Sequence, residues 1–238
     1  MASDLPGGST AAMTTQPLSR RRLIRTGTAT ALTTAGLTAG LALPSIADEA
    51  TDDTEATDPA LRKVVLVGAN PGVQLFGDDV VTAYASVWTV EWSTHGPGAA
   101  IVLWHDGAVR VLTDHPDLGY WLEHTFTRFF PEATGLPWPE PRIERRSVHI
   151  TNDLARGTRA RAGDVSVRIA NVLDRRAFAT DRFDLGGRVH SLSLVTGPSA
   201  SAAIEVRDRR LPGEIIRGGT PDRPSSSAFV AVAEVWRF

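Results

Sequence analysis

Apolar and polar residues alternate along most of this chain, and that two-residue period constrains its fold more than any other feature. The period is typical of a half-buried β-strand, because successive side chains of a strand point to opposite faces. In residues 82–92 the aromatic residues Tyr84, Trp88 and Trp92 fall on one side. Eight or nine such runs, separated by turn signals, predict a mainly β fold, an antiparallel sandwich or barrel.

One hairpin can be placed in register from its turn. The pair Asp106-Gly107 accepts the positive φ angles of a type I′ turn. Counting outwards from the turn pairs Trp104 with Val109. The next pair on that face is Val102 with Val111. We therefore expect these four side chains to point inward together.

One amphipathic helix near residues 115–130 interrupts the strands. Asp114 is the expected N-cap, and Pro131 is expected to end the helix. The apolar residues recur at helical spacing and form the expected core-facing side: Leu118, Trp121, Leu122, Phe126, Phe129 and Phe130. The expected solvent-facing side consists of Glu123, His124, Thr127 and Arg128.

Two features organise the rest of the folded region. Residues 229–238 are apolar on both faces, which predicts a central strand. The Pro-rich segment 136–139 is typical of a rigid crossover, so a subdomain junction is expected near Glu140. The charge also changes there, because residues 59–141 carry 4 basic and 9 acidic side chains, whereas residues 142–188 carry 11 basic and 6 acidic ones.

The N-terminal region carries a short basic motif. Residues 19–25 read Ser-Arg-Arg-Arg-Leu-Ile-Arg, a weakly apolar stretch follows, and Ser45-Ile46-Ala47 forms a small-x-small cleavage pattern. The motif resembles the twin-arginine export signal, with Arg20 and Arg21 as the pair. The resemblance implies a leader at residues 1–47, recognised by the twin-arginine translocation machinery and removed by a signal peptidase. An uncut membrane anchor is the alternative.

The resemblance also implies a destination and a folded cargo. Twin-arginine substrates cross the membrane already folded, which agrees with the absence of Cys. The expected location is the cell envelope or the medium of an actinobacterial kind of cell, and translation could start at Met1 or Met13. No further membrane-spanning segment is expected.

Removal of this leader leaves an acidic chain. The leader holds 4 Arg and 1 Asp, so the formal charge changes from −2 to −5. Residues 48–58 are acidic and include no large apolar residue, which predicts a disordered linker over residues 48–61. Residues 62–238 then form the globular domain. Nucleic-acid binding is not expected of an acidic exported protein.

Catalytic signals are weak. The sequence contains no G-x-S-x-G, H-E-x-x-H or phosphate-loop motif, and its 6 His residues show no metal-ligand spacing, so no metal or cofactor is expected. His190 alternates with apolar neighbours, and a buried neutral imidazole bonded to a backbone carbonyl is weighed there against a general base. His105 and Asp106 lie at the hairpin turn and are the other catalytic candidates.

The aromatic residues suggest a ligand site. Tyr84, Trp88 and Trp92 could form a platform for sugar rings or for a flat apolar ligand, or they could be core residues covered by the helix. The leading hypothesis is therefore an exported, non-catalytic binding or accessory protein of the cell envelope, with a glycan or small apolar molecule as ligand. The alternative is an exported hydrolase that uses His190, or His105 with Asp106, and a carboxylate brought near by folding.

Overall fold

The computed structural model describes residues 62–237. The expected leader at residues 1–47, the alternative starts and the expected acidic linker at 48–61 lie outside the described residues and stay predictions. Within the described part, no helix is both long and apolar enough to cross a membrane.

The described residues form a mainly β domain with one α-helix, which confirms the predicted fold class. The helix α1 spans Pro116–Thr125, and two 3₁₀ turns follow it at Thr127–Phe129 and Pro131–Ala133. The strands are β1 Lys63–Ala69, β2 Gly72–Gly77, β3 Val80–Ser93, β4 Gly98–His105, β5 Ala108–Thr113, β6 Arg142–Arg145, β7 Val148–Asp153, β8 Gly157–Ala162, β9 Val165–Val172, β10 Arg176–Leu185, β11 Arg188–Val206, β12 Arg209–Arg210, β13 Arg217–Thr220, β14 Arg223–Ser226 and β15 Ala228–Arg237.

Most strands belong to one large sheet. Its main order is β6-β5-β4-β3-β1-β15-β11-β9-β8-β7, with β2, β10 and β12 attached at its sides, while β13 and β14 form a separate hairpin. The described pairs are antiparallel except β5 with β6. The predicted central position of the C-terminal strand is confirmed, because β15 lies between β1 and β11. Strands on both sides of Glu140 belong to this same sheet.

The sheet curls into a barrel-like shape. Strands β6 and β7 stand at opposite ends of the strand order, yet only Arg146 and Ser147 separate them along the chain. Three peptide steps span at most about 11 Å, so the two ends of the sheet lie near each other. Arg110 in β5 also bonds Asp164 in the β8–β9 turn, with 2.7 Å between Nη2 and Oδ1.

The two faces of the curled sheet hold two different cores. We call the concave side the inner face, and its buried residues are aliphatic: Val73, Leu75, Ala83, Ala85, Val87, Ile101, Leu103, Leu112, Ala160, Ala162, Val165, Val167, Ile169, Ile204, Leu211, Ala228 and Val230. We call the opposite side the helix face, because α1 and the segment after it cover it. Its buried residues are Leu66, Tyr84, Trp88, Val90, Ala100, Val102, Trp104, Val109, Val111, Leu118, Leu122, Phe126, Ala133, Leu185, Leu192 and Val235.

The predicted hairpin register is confirmed. Asp106 and Gly107 have φ angles of 51° and 68°, as a type I′ turn requires. Trp104 pairs with Val109 in the observed ladder. Val102 pairs with Val111. All four side chains are buried on the helix face.

The predicted limits of the helix are wrong at both ends. His115 is the N-cap rather than Asp114, and the proline at the first helical position starts the helix. The Asp114 carboxylate instead accepts a hydrogen bond from the backbone N–H of Ala99 at 3.0 Å. The helix ends at Thr125, well before Pro131, because Phe126 leaves helical geometry with φ −121° and ψ −66°.

The burial of polar residues in and after the helix also differs from the prediction. Glu123 and Thr127 were expected to face solvent, and both are fully buried. Thr127 belongs to the first 3₁₀ turn, and its side chain points toward the sheet, where its hydroxyl accepts a hydrogen bond from Trp88. Phe129 of the same turn, expected in the core, is 45% exposed.

Candidate functional site

Two of the three predicted platform aromatics are covered. Tyr84 and Trp88 are almost fully buried on the helix face. The Trp88 ring lies 5.8 Å from the ring of Phe126 and 5.9 Å from that of Phe130. The Tyr84 ring lies 6.2 Å from the ring of Trp138. In this structure Tyr84 and Trp88 are core residues, and they form no platform open to solvent.

Trp92 lies on the other face of the sheet, contrary to the prediction. In the β1–β3 ladder Val90 pairs with Gly68 and Trp92 pairs with Val67, so Glu91 is an additional residue on β3. Such a β-bulge shifts the alternation by one position. Trp92 is consequently turned away from the helix face and is 48% exposed.

Trp92 belongs to a partly exposed apolar surface. Residues that pair across adjacent strands share a face, and Trp92 follows Val67 and Glu234 in one such row across β3, β1 and β15. In a second row Trp236 lies beside Val64. We call this surface the open face; its apolar members are Val64, Val67, Trp92, Val195, Val232 and Trp236.

The open face continues the inner face beyond the packed core. Along β15, Val230 is buried in the inner core, whereas Val232 two residues on is half-buried and Glu234 is exposed. Val64 is 38% exposed, and Trp236 is half-buried. The strands of this region therefore extend past the part of the barrel whose concave side is filled.

Polar groups are also present on the open face. Glu234 and Ser193 pair with each other across β15 and β11, and both are exposed. Ser191 pairs with Trp236 and is buried. Its hydroxyl has no hydrogen-bond partner among residues 62–237. Sequence reasoning missed these residues, since their shared row depends on cross-strand register.

His190 is buried on the helix face. Its Nδ1 lies 2.9 Å from the backbone oxygen of Arg188, and its ring lies 6.1 Å from the ring of Phe126. Burial lowers the pKa of the imidazole, which favours the neutral form. The described hydrogen bonds of this ring include none to a carboxylate. This is the arrangement of a buried His bonded to a backbone carbonyl.

The other candidate pair lies at the turn between β4 and β5. His105 is half-buried and Asp106 is exposed. Within residues 62–237, no described hydrogen bond or ion pair joins either side chain to a third group. The described residues also include no cluster of His and carboxylate side chains that could hold a metal ion.

A polar cluster beneath the second 3₁₀ turn was not foreseen. Gln74 Nε2 donates to the backbone oxygen of Glu132 at 2.8 Å, and Asn70 Nδ2 donates to Ser86 Oγ at 2.9 Å. Desolvation raises the pKa of the Glu132 carboxyl. Burial, and next the charge of Glu132, raise the pKa of Tyr84 well above its usual value. The cluster fastens the turn to the sheet, and its residues lie too far apart in the chain for a local pattern to reveal it.

A shallow depression of about 330 Å³ lies between the β7–β8 turn and the connection from β9 to β10. Its Asp174 carboxylate already accepts hydrogen bonds from Arg176 Nε at 2.6 Å and from the backbone of Arg175 at 2.7 Å. The residues lining it are Leu154, Ala155, Val172, Leu173, Asp174 and Arg175.

Comparison with known proteins assigns no family. No protein-family model matches the chain, and no curated protein matches it. A solved structure of acetoacetate decarboxylase from Legionella pneumophila subsp. pneumophila str. Philadelphia 1 is similar with 7% sequence identity and a TM-score of 0.32, over 74% of this chain and 84% of that chain. Similarity at this level supports no conclusion about the activity of this protein.

Proposed function

We propose that this protein is an exported, non-catalytic binding or accessory protein of the cell envelope that holds a glycan or a small apolar molecule on its open face. The observation that supports the proposal is the exposure of Trp92 on the same sheet face as Trp236 and several valines. The exported location rests on the resemblance of residues 19–47 to a twin-arginine leader.

The exposed indole provides enough area for ligand binding. A tryptophan buries 150–250 Å² when it is fully covered, so covering the exposed half of Trp92 removes roughly 100 Å² from water. At about 25 cal/mol per Å², that contact is worth about 2.5 kcal/mol before the costs of association. Val64 and Trp236 enlarge the same surface. A flat ligand therefore gains binding free energy by covering this surface.

The catalytic candidates give less support to a hydrolase. A general base needs a reacting group within hydrogen-bond reach and usually a third group that orients it. His190 is buried against Phe126 and bonded to a backbone carbonyl. His105 ends β4 and Asp106 lies in the tight turn that follows, and among the described residues no hydrogen bond or ion pair joins either side chain to a third group.

A titration of the full chain tests binding. Tryptophan fluorescence and calorimetry are followed as soluble glycans and neutral apolar compounds are added. We expect at least one class to bind and Trp92→Ala to weaken that binding at least tenfold. Tyr120→Ala is the matched control, since Tyr120 is a similarly exposed aromatic residue on helix α1. Loss of binding in both variants, or no binding of either class, would argue against the proposal.

Export is tested separately in cells. We expect the exported protein to begin near Asp48, as N-terminal sequencing would show. Replacing both Arg20 and Arg21 with Lys should retain the protein inside the cell, because the paired guanidinium groups define the signal. The matched control is Arg22→Lys. Exported protein that still carries Arg20, or equal export of the double variant, would exclude this route.

A further inference from the structure

We propose that the ligand of the open face is an uncharged glycan chain, whose sugar rings lie on Trp92 and Trp236 and whose hydroxyl groups donate hydrogen bonds to Glu234. This inference rests on the proposed function and selects one of its two ligand classes. It depends on the position of Glu234, a carboxylate of this surface.

Glu234 occupies the middle of the open face. It pairs with Val67 on one side and with Ser193 on the other. Trp92 lies in the same row, two strands away, which places the two Cα atoms about 10 Å apart. Trp236 follows Glu234 by two residues along β15, or about 7 Å. A ligand that extends over both indoles therefore comes close to the carboxylate.

The charge of Glu234 also constrains the ligand. Glu234 is exposed, and it takes part in no ion pair among residues 62–237. An apolar ligand lying over it would remove its water and supply no donor, and burying an unpaired charge is costly. An anionic ligand would in addition be repelled. Both physical effects disfavour lipids, fatty acids and anionic polymers.

A glycan can cover the indoles without leaving the Glu234 carboxylate unpaired and stripped of water. The C–H faces of a sugar ring pack on an indole, while its hydroxyl groups replace the water around a carboxylate, which only accepts hydrogen bonds. The flat rows of a strand surface suit an extended chain of such rings. The open face thus combines an apolar surface with a carboxylate, which favours ligands that donate hydrogen bonds.

A second observation points to hydrogen bonding at the same place. The hydroxyl of Ser191 is buried beside Trp236 on this face and lacks a partner in the described part of the chain. A buried hydroxyl without a hydrogen-bond partner destabilises the ligand-free protein. A ligand hydroxyl that reaches it beside the indole would remove that destabilisation, whereas a hydrocarbon would not.

The test compares uncharged, anionic, apolar and cationic probes on the full chain. Calorimetry is carried out with cellohexaose and hexa-N-acetylchitohexaose, with a galacturonic acid hexamer, with dodecanol and with tetramethylammonium. We expect an uncharged hexamer to bind at least tenfold more tightly than the anionic hexamer and dodecanol. Its affinity should change little between low and high salt, since no net charge is paired.

Variants of the carboxylate sharpen the test. Glu234→Ala should weaken binding of the uncharged hexamer at least tenfold and strengthen binding of dodecanol, while Glu234→Gln, which keeps one acceptor oxygen, should have a smaller effect. Glu140→Ala, an exposed carboxylate outside the open face, is the matched control. Circular dichroism confirms that each variant is folded.

The outcomes separate this inference from the proposed function. Dodecanol binding that depends on Trp92, without glycan binding, overturns the choice of glycan and leaves the binding function in place. Tetramethylammonium binding that Glu234→Gln abolishes, without glycan binding, overturns it in favour of a cationic ligand. No binding by any probe overturns both proposals.

Discussion

The two faces of the curled sheet are built from different residues. This difference shows how α1 and the segment after it are held on the helix face. The inner face contains only aliphatic side chains in its buried cluster, many of them Ala and Val. The helix face contains Tyr84, Trp88 and Trp104. The concave side of a curled sheet leaves little volume, whereas the convex side needs large residues to reach its cover.

The large residues of the helix face carry polar atoms, and each indole N–H bonds a different part of the cover. Trp88 Nε1 donates to Thr127 Oγ1 at 3.1 Å, and Trp104 Nε1 donates to the Pro137 oxygen at 2.7 Å. Within the cover itself, Trp138 Nε1 donates to Glu123 Oε1 at 2.7 Å. The aliphatic cluster of the inner face is held by packing, whereas the indoles of the helix face add directed hydrogen bonds to their packing.

The largest expected effect follows removal of an indole from the helix face. Trp88→Ala should lower the free energy of unfolding by about 4 kcal/mol, because it opens a cavity between two phenylalanine rings. Urea denaturation measures the change. Trp88→Phe, which keeps most of the packing but loses the bond to Thr127, should cost about 1 kcal/mol. Equal losses in the two variants would contradict a role for packing.

The next effect concerns the buried carboxylate of the cover. Glu123 accepts two hydrogen bonds from Arg128, at 2.9 and 3.0 Å, besides the one from Trp138. Glu123→Ala should cost about 3 kcal/mol, because the guanidinium and the indole N–H lose their shared partner. Thermal and urea denaturation measure it. The exposed Glu140→Ala serves as control, with a change below about 0.5 kcal/mol. A similar value for Glu123→Ala would refute this role.

The inner face should resist added volume. Ala85→Leu places extra methyl groups in a fully buried position and should cost about 2 kcal/mol through strain. Ala108→Leu is the matched control on an exposed site of β5 and should leave stability nearly unchanged. If Ala85→Leu unfolds at the wild-type urea concentration, the concave side is less filled than the structure indicates.

The smallest effect is the acid sensitivity of the sheet closure. Hydrogen bonds from Arg110 lower the pKa of Glu144, and they are also the main reason that the pKa of Asp164 is lowered. Because the folded-state pKa values lie below the unfolded ones, this stabilisation is present above about pH 4 and is lost as the pH falls through the folded-state values. The change in unfolding free energy should be on the order of 1 kcal/mol.

Unfolding at a series of pH values from 7 to 3 tests the closure. Arg110→Met should reduce the acid-dependent loss of stability. The control is Arg156→Met, an exposed arginine 3.9 Å from Asp153 in the β7–β8 turn. An unchanged pH profile in Arg110→Met would show that carboxylates other than Glu144 and Asp164 cause most of the acid-dependent loss of stability.

Local patterns predicted several elements correctly because their determinants lie close in sequence. The Asp106-Gly107 turn imposes its own register on β4 and β5, and the observed pairs agree. The bulge at Glu91 depends instead on how β1 pairs with β3, so the four-residue spacing of aromatics misplaced Trp92. The burial of Glu123 depends on Trp138, which is 15 residues away.

By itself, the sequence determined that this protein is mainly β, that its C-terminal strand is central, and that its hairpin turns at Asp106. A two-residue apolar period reports burial of one strand face wherever the chain stays extended. The tertiary structure decided that Tyr84 and Trp88 are core residues and that Trp92 and Glu234 share an open face. Cross-strand register and the covering segment bring together residues that are far apart in the chain. The apolar period of a single strand does not reveal such contacts.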